Sequence, residues 1–136
     1  MEFDFKGQTA IVTGGTRGIG RAVSEAFLKA GAKVIATYRS NEEEAKKFTE
    51  ANAAHAECLE IYKFDVTCYD EVENFYKEVE DKHGDLQIVV VSSGIRCDSI
   101  VGMMKKEDWN NVINTNLTGT FNISKIAVQY MMRQKY

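Results

Sequence analysis

Apolar positions along the chain fall at two alternating spacings. "TAIVT" (Thr9 to Thr13) is a short β-branched run that stops at glycine, as a buried parallel strand does. From Gly18 to Gly31, Ile19, Ala22, Val23, Ala26, Phe27 and Ala30 recur at helical spacing, with Arg21, Glu25 and Lys29 on the opposite face. Gly31 ends that predicted helix. "KVIATY" (Lys33 to Tyr38) predicts a second strand. "SNEEEAKKFTEANAAHA" then predicts a helix capped by Ser40 or Asn41, with glutamates in its first turn, where the helix dipole favours them.

"LEIYKFDV" (Leu59 to Val66) predicts a third strand, and Thr67 is expected to cap a helix reaching about Lys82, with Val72, Phe75, Tyr76 and Val79 on one face. "LQIVVV" (Leu86 to Val91) is the most apolar strand and is expected to be central. After a loop, a long helix from about Lys106 to Arg133 completes the pattern. Strands alternating with helices predict an α/β fold: a doubly wound parallel sheet with right-handed crossovers and helices on both faces. No repeat or linker interrupts it, so residues 1–136 read as one unit.

Composition narrows the functions. The chain has 136 residues, 44% apolar and 27% charged, with a net charge of −3 and no Lys/Arg run longer than two. A nucleic-acid partner is therefore not expected. Neither a long apolar run nor a charged-then-apolar leader is present, so no membrane span and no secretory signal are expected. Cys58, Cys68 and Cys97 lie in no CxxC and read as free thiols in a reducing compartment, with cytoplasm the default. His55 and His83 read as surface histidines, and no His/Cys/Asp cluster has metal spacing, so no metal site is expected. Cys97 is expected near the mouth of any site, without an activated thiol.

The chemistry-bearing stretch is "TGGTRGIG", Thr13 to Gly20, with four glycines in eight residues between the first strand and the first helix. Each glycine forgoes roughly 0.5–1 kcal/mol in regular structure, so the cluster needs an account. Gly14 lets the strand turn sharply, Gly18 lets backbone approach a pyrophosphate, and Gly20 lets the helix lie tight against the first strand. The helix N-terminus then offers N–H groups to phosphates, so this is a Rossmann-type dinucleotide cradle. The second strand ends Thr37-Tyr38-Arg39-Ser40 with no carboxylate for a ribose 2′-hydroxyl. Arg39 and Arg17 suit a 2′-phosphate instead, and the expected cofactor is NADP(H) rather than NAD(H).

With Thr13-Gly14-x-x-x-Gly18-x-Gly20, the chain resembles the short-chain dehydrogenase/reductase family. Asp65-Val66 is similar to that family's adenine-contacting pair, and "NTNLTG" (Asn114 to Gly119) to its Asn motif. "GIRCDSIVGMMKKEDWNNVINTNLTGTFN" resembles, without a gap, the matching segment of bacterial 3-oxoacyl-[acyl-carrier-protein] reductases. The resemblance implies cofactor contacts from Gly14, Thr16, Arg17, Gly18, Ile19, Gly20, Arg39, Asp65, Val66, Ser92 and Gly94. It implies a catalytic role for Asn116, holding a water on the proton path. It also implies an acyl-carrier-protein thioester as substrate, NADPH as hydride source in fatty acid synthesis, and a homo-oligomer. Another ketone or sugar substrate and a non-catalytic nucleotide-binding module are the alternatives.

Two departures qualify the resemblance. Val91-Ser92-Ser93-Gly94 replaces a tetrapeptide with two asparagines, so a looser cofactor floor is expected, with Ser92 keeping part of the anchoring. The family's catalytic Ser and Tyr-x-x-x-Lys are missing: none of the six tyrosines, Tyr136 included, has a lysine four residues on. The expectation is a chain truncated after the fourth βα unit, lacking about a hundred residues of a domain of roughly 200–250 and inactive as a reductase by itself. "IVVV" is then expected as an open edge. Phe121, Ile126, Tyr130 and Met131 are expected on an exposed helix face that promotes self-association.

Overall fold

The computed structural model describes residues 2–135; Met1 and Tyr136 lie outside the described residues. Four parallel strands, β1 (Thr9–Thr13), β2 (Lys33–Tyr38), β3 (Leu59–Lys63) and β4 (Ile88–Val91), form one sheet in the order β3-β2-β1-β4. The register sets Ile11 beside Ile35 and Val89, and Ala36 beside Ile61. Helices α1 (Gly18–Lys29), α2 (Glu42–Ala51) and α3 (Tyr69–His83) follow the first three strands. After β4 come α4 (Lys106–Ile113), a π-helical turn (Asn114–Thr118) and α5 (Gly119–Arg133).

Strand periodicity divides the core in two. Ile11 and Ile35 point to one face and pack with Val72, Phe75 and Tyr76 of α3 and Ile123 of α5. Val12, Val34 and Ala36 point to the other and pack with Leu28 of α1 and Phe48 of α2. The result is the expected three-layer, doubly wound α/β/α arrangement. Tyr76 is buried, donates its hydroxyl to the Ile123 carbonyl at 3.1 Å, and has its phenol pushed well above the usual range by burial.

Several expectations are corrected. The most apolar strand is not central: β1 is buried throughout, while β4 stands half-buried at the edge, which is where the open-edge expectation placed it. Thr67 caps nothing, because its N–H and hydroxyl both bond Asp65 Oδ1, at 2.9 and 2.8 Å; α3 starts at Tyr69 instead. The second helix is capped by Asn41, whose Oδ1 accepts from the Glu44 N–H at 3.1 Å, and it ends at Ala51 before a 3-10 segment. Ile126 and Tyr130 are not on an exposed face; they pack in the core against α3, whereas Phe121, Val128 and Met132 are exposed. The His83 side chain is not on the surface: it is 3% exposed, with Nε2 3.2 Å from Glu60 Oε2 and Lys33 Nζ 3.3 Å from Nδ1.

Candidate functional site

The carboxyl ends of the four strands open onto one cleft of about 360 Å³. The strand order reverses between β1 and β4, and an open parallel sheet leaves its ligand crevice at such a switch point. The structure brings the expected cofactor residues together here. Gly14, Thr16 and Arg17 come from the turn after β1, Gly18, Ile19 and Gly20 from the start of α1, and Arg39 from just beyond β2. Asp65 and Val66 come from beyond β3, and Ser92 and Gly94 from beyond β4.

The glycines have separate causes. Gly14 and Gly18 have φ of +61° and +55°, in the left-handed region that favours glycine. A Cβ at Gly18 would meet nothing within 4 Å, so its bare backbone faces open space. At Gly20 a Cβ would sit 2.0 Å from the Gly14 carbonyl oxygen, so the helix leans directly on the turn. Sequence reasoning gave Gly15 no role of its own, yet a Cβ there would lie 2.6 Å from the Val12 carbonyl oxygen and 2.8 Å from Ser24 Oγ. Ser24 is buried and donates to the Gly15 carbonyl at 3.0 Å, fastening α1 to the turn.

The electrostatics of the turn differ from those at the starts of α2, α3 and α4. α2, α3 and α4 each carry acidic side chains in the first turn, whereas α1 has none, and Arg17 at its N-cap makes no side-chain capping bond. The N–H groups and positive dipole end of α1 are thus left to an anion. Arg17 and Arg39 are exposed and, among the described residues, neither has a carboxylate partner within salt-bridge distance. Asp65 spends Oδ1 on Thr67, leaving Oδ2 to the cleft, while its own N–H donates to Glu71 Oε2 at 2.8 Å.

Behind these groups stands a supporting set. Thr13 Oγ1 accepts from the N–H groups of Ser92 and Ser93 at 3.2 and 3.3 Å. The floor is therefore tied by Thr13, not by the Ser92 hydroxyl, which makes no hydrogen bond among the described residues. Asn116 does not line the cleft; its amide bonds Ile95 twice, with Ile95 N–H donating to Oδ1 at 2.8 Å and Nδ2 donating to the Ile95 carbonyl at 2.9 Å. Asn116 is exposed and sits in the π-helical turn, so its side chain braces the Gly94-Ile95 loop. Asn122, buried on α5, donates to the Val66 carbonyl at 2.9 Å, and Gly119 lets the helix approach Val66, where a Cβ would lie 2.6 Å from Cγ2. A lone amide on the apolar face of the last helix was the one signal for Asn122.

Cys97 is half-buried, and burial together with Asp108 pushes its thiol up, away from the reactive thiolate. Among the described residues there is no group of three potential metal ligands, and no helix is long and apolar enough to cross a membrane. Open helix N–H groups, two unpaired guanidiniums and a spare carboxylate oxygen fit an extended anionic dinucleotide laid across the strand ends.

Comparison with known proteins agrees. The chain is 38% identical to an acetoacetyl-CoA reductase of Paracoccus denitrificans over 95% of its own length and 51% of that protein's. It is 36% identical to a 3-oxoacyl-[acyl-carrier-protein] reductase of Salmonella typhimurium over 96% of its length and 52% of that protein's. The solved structure of ElxO with NADP bound superposes with a TM-score of 0.86 at 32% identity, covering 93% of this chain and 51% of that one. The chain thus spans about half the length of the curated relatives it matches. Residues 8–136, which hold the glycine turn, the strand ends and the Asn116 brace, match the model of the short chain dehydrogenases, and the chain belongs to that family.

Proposed function

We propose that this chain forms the NADPH-binding part of an oxidoreductase that reduces the 3-oxo group of an acyl thioester, carried on acyl-carrier protein. The carrying observation is the cleft itself, where the acid-free start of α1 lies beside two unpaired arginines that follow the neighbouring strands β1 and β2. Bound NADPH supplies hydride. The chain's own residues bind and orient it. The α1 N-terminus and the bare Gly18 backbone take the pyrophosphate, and Arg17 and Arg39 take the 2′-phosphate. Asp65 Oδ2 accepts from the adenine amine while Val66 packs against the ring. Ser92 and Gly94 form the floor toward the nicotinamide, and Asn116 holds that floor in place through Ile95.

The proton donor and its partners are assigned to sequence outside these residues, and homo-oligomerisation in a cytoplasmic setting belongs to the same reading. Exposed Phe121, Val128 and Met132 on one helix favour association. A second carrier has specific support: relatives of similar identity include both acyl-carrier-protein and coenzyme A reductases. Assaying NADPH oxidation by the full-length protein with 3-oxoacyl thioesters of the two carriers tests both. Faster turnover on the acyl-carrier-protein thioester is expected. Turnover on neither thioester overturns the substrate assignment.

A further inference from the structure

Glu42 is the first carboxylate after β2, three residues past Arg39. A carboxylate at this end of the second strand accepts from a ribose 2′-hydroxyl and opposes a 2′-phosphate. In the structure Glu42 is held elsewhere: Lys63 Nζ donates to its Oε1. Lys63 is the last residue of β3 and pairs in register with Tyr38, so it stands beside the residue that precedes Arg39. Tyr38 to Asn41 on one side of the pair, and Phe64 and Asp65 on the other, all line the cleft.

The pair differs from its neighbours. Glu43 and Glu44 are held by Lys47 of their own helix, at 3.0 and 3.3 Å, while the cation on Glu42 comes from another strand. Lys63 and Glu42 side chains are 50% and 67% exposed, so nothing but the pair fixes the carboxylate's direction. The Lys63 ammonium also holds the Glu42 carboxyl below the usual carboxylate range, so Glu42 is charged whenever the cofactor is present at neutral pH.

We propose that Lys63 is a specificity-determining residue, which keeps the Glu42 carboxylate out of the 2′ end of the cleft and leaves Arg17 and Arg39 unopposed. The inference rests on the NADPH reading of the same cleft. Without Lys63, Glu42 is free to turn to Arg39 or to a ribose hydroxyl, favouring the dinucleotide that lacks the phosphate. Because one carboxylate is being redirected, the effects of the two residues are coupled; a simple loss of one positive charge is additive.

Calorimetric titration with NADPH and NADH at low ionic strength tests this on the chain, Lys63→Met, Glu42→Gln and the double variant. Both positions are exposed, so the variants keep the fold. Lys63→Met is expected to weaken NADPH about three- to fivefold, with NADH unchanged or tighter. In the Glu42→Gln background the same substitution is expected to have less than half that effect. If the parent chain binds neither dinucleotide, the cofactor reading falls and this inference with it. If the parent prefers NADPH but Lys63→Met leaves the NADPH-to-NADH ratio unmoved, or costs as much in the Glu42→Gln background, the inference alone is overturned.

Discussion

Asn116 and Ile95 are joined as two strands are joined, amide to amide: Asn116 accepts from the Ile95 N–H at 2.8 Å and donates to its carbonyl at 2.9 Å. Gln134 does the same for Leu86 at the other end of β4, accepting from its N–H at 3.1 Å and donating to its carbonyl. The last helical run therefore holds an edge strand at both ends. That strand carries the floor of the cleft on its carboxyl side.

Replacing Asn116 with alanine removes both bonds to Ile95. Because the pair is exposed to water, the cost to stability is about 1 kcal/mol, not the larger cost of a buried pair. The local consequence is sharper: the Ile95 amide is expected to exchange with deuterium about tenfold faster. Asn116→Asp keeps an acceptor for the N–H but turns a carboxylate on the Ile95 carbonyl, so it should behave no better. Unchanged Ile95 exchange in both variants would remove the bracing role.

Gly18 and Gly20 are two residues apart and should respond differently to the same methyl group. Gly20→Ala places Cβ on the Gly14 carbonyl oxygen, backbone against backbone, and is expected to cost about 3 kcal/mol or prevent folding. Gly18→Ala meets open space but must hold a φ of +55°, at about 1–2 kcal/mol. The Gly18 variant should fold and lose dinucleotide affinity. Urea melts of the two, compared with NADPH titration of the one that folds, check this.

Tyr76 makes stability fall at high pH. Burial raises its folded pKa far above the unfolded value near 10, so folding favours the neutral phenol. Its contribution is complete below about pH 10 and is lost as pH rises beyond that, where only the unfolded chain ionises. Tyr62 and Tyr130 are shifted the same way, chiefly by burial, and add to the slope. Tyr76→Phe costs about 1 kcal/mol at neutral pH through the lost bond to Ile123, but it should flatten the decline in Tm between about pH 10 and 12. An identical alkaline slope in Tyr76→Phe would contradict this.

Most of the architecture was legible because it rests on periodicity. The order of strands and helices, and the turn that opens α1, follow from spacing and glycine alone. What was not legible depends on partners brought from elsewhere in the chain. His83 ends its helix and reads as solvated, yet Lys33 of β2 and Glu60 of β3 stand on either side of its ring. Thr67 has the composition of a cap, and only the nearby Asp65 carboxylate takes it away. Ile126 and Tyr130 lie on the core side because α3 packs over that face of α5, five and nine residues on from exposed Phe121 and so turned away from it at helical spacing. In the cleft, part of the lining was named from the motifs, while Phe64, Ile95 and Thr115, which also line it, and the holding roles of Gly15, Ser24, Thr13 and Asn122 were not.

An NADPH-binding cleft must prefer a dinucleotide with a 2′-phosphate. Calorimetric titration of the chain with NADPH and with NADH, repeated for Arg39→Ala and Arg17→Ala, measures that preference directly. NADPH should bind about tenfold or more tightly than NADH, and each arginine variant should lose most of that margin while leaving NADH affinity nearly unchanged. Equal affinity for the two, tighter NADH, or an Arg39→Ala variant with the margin intact would contradict it.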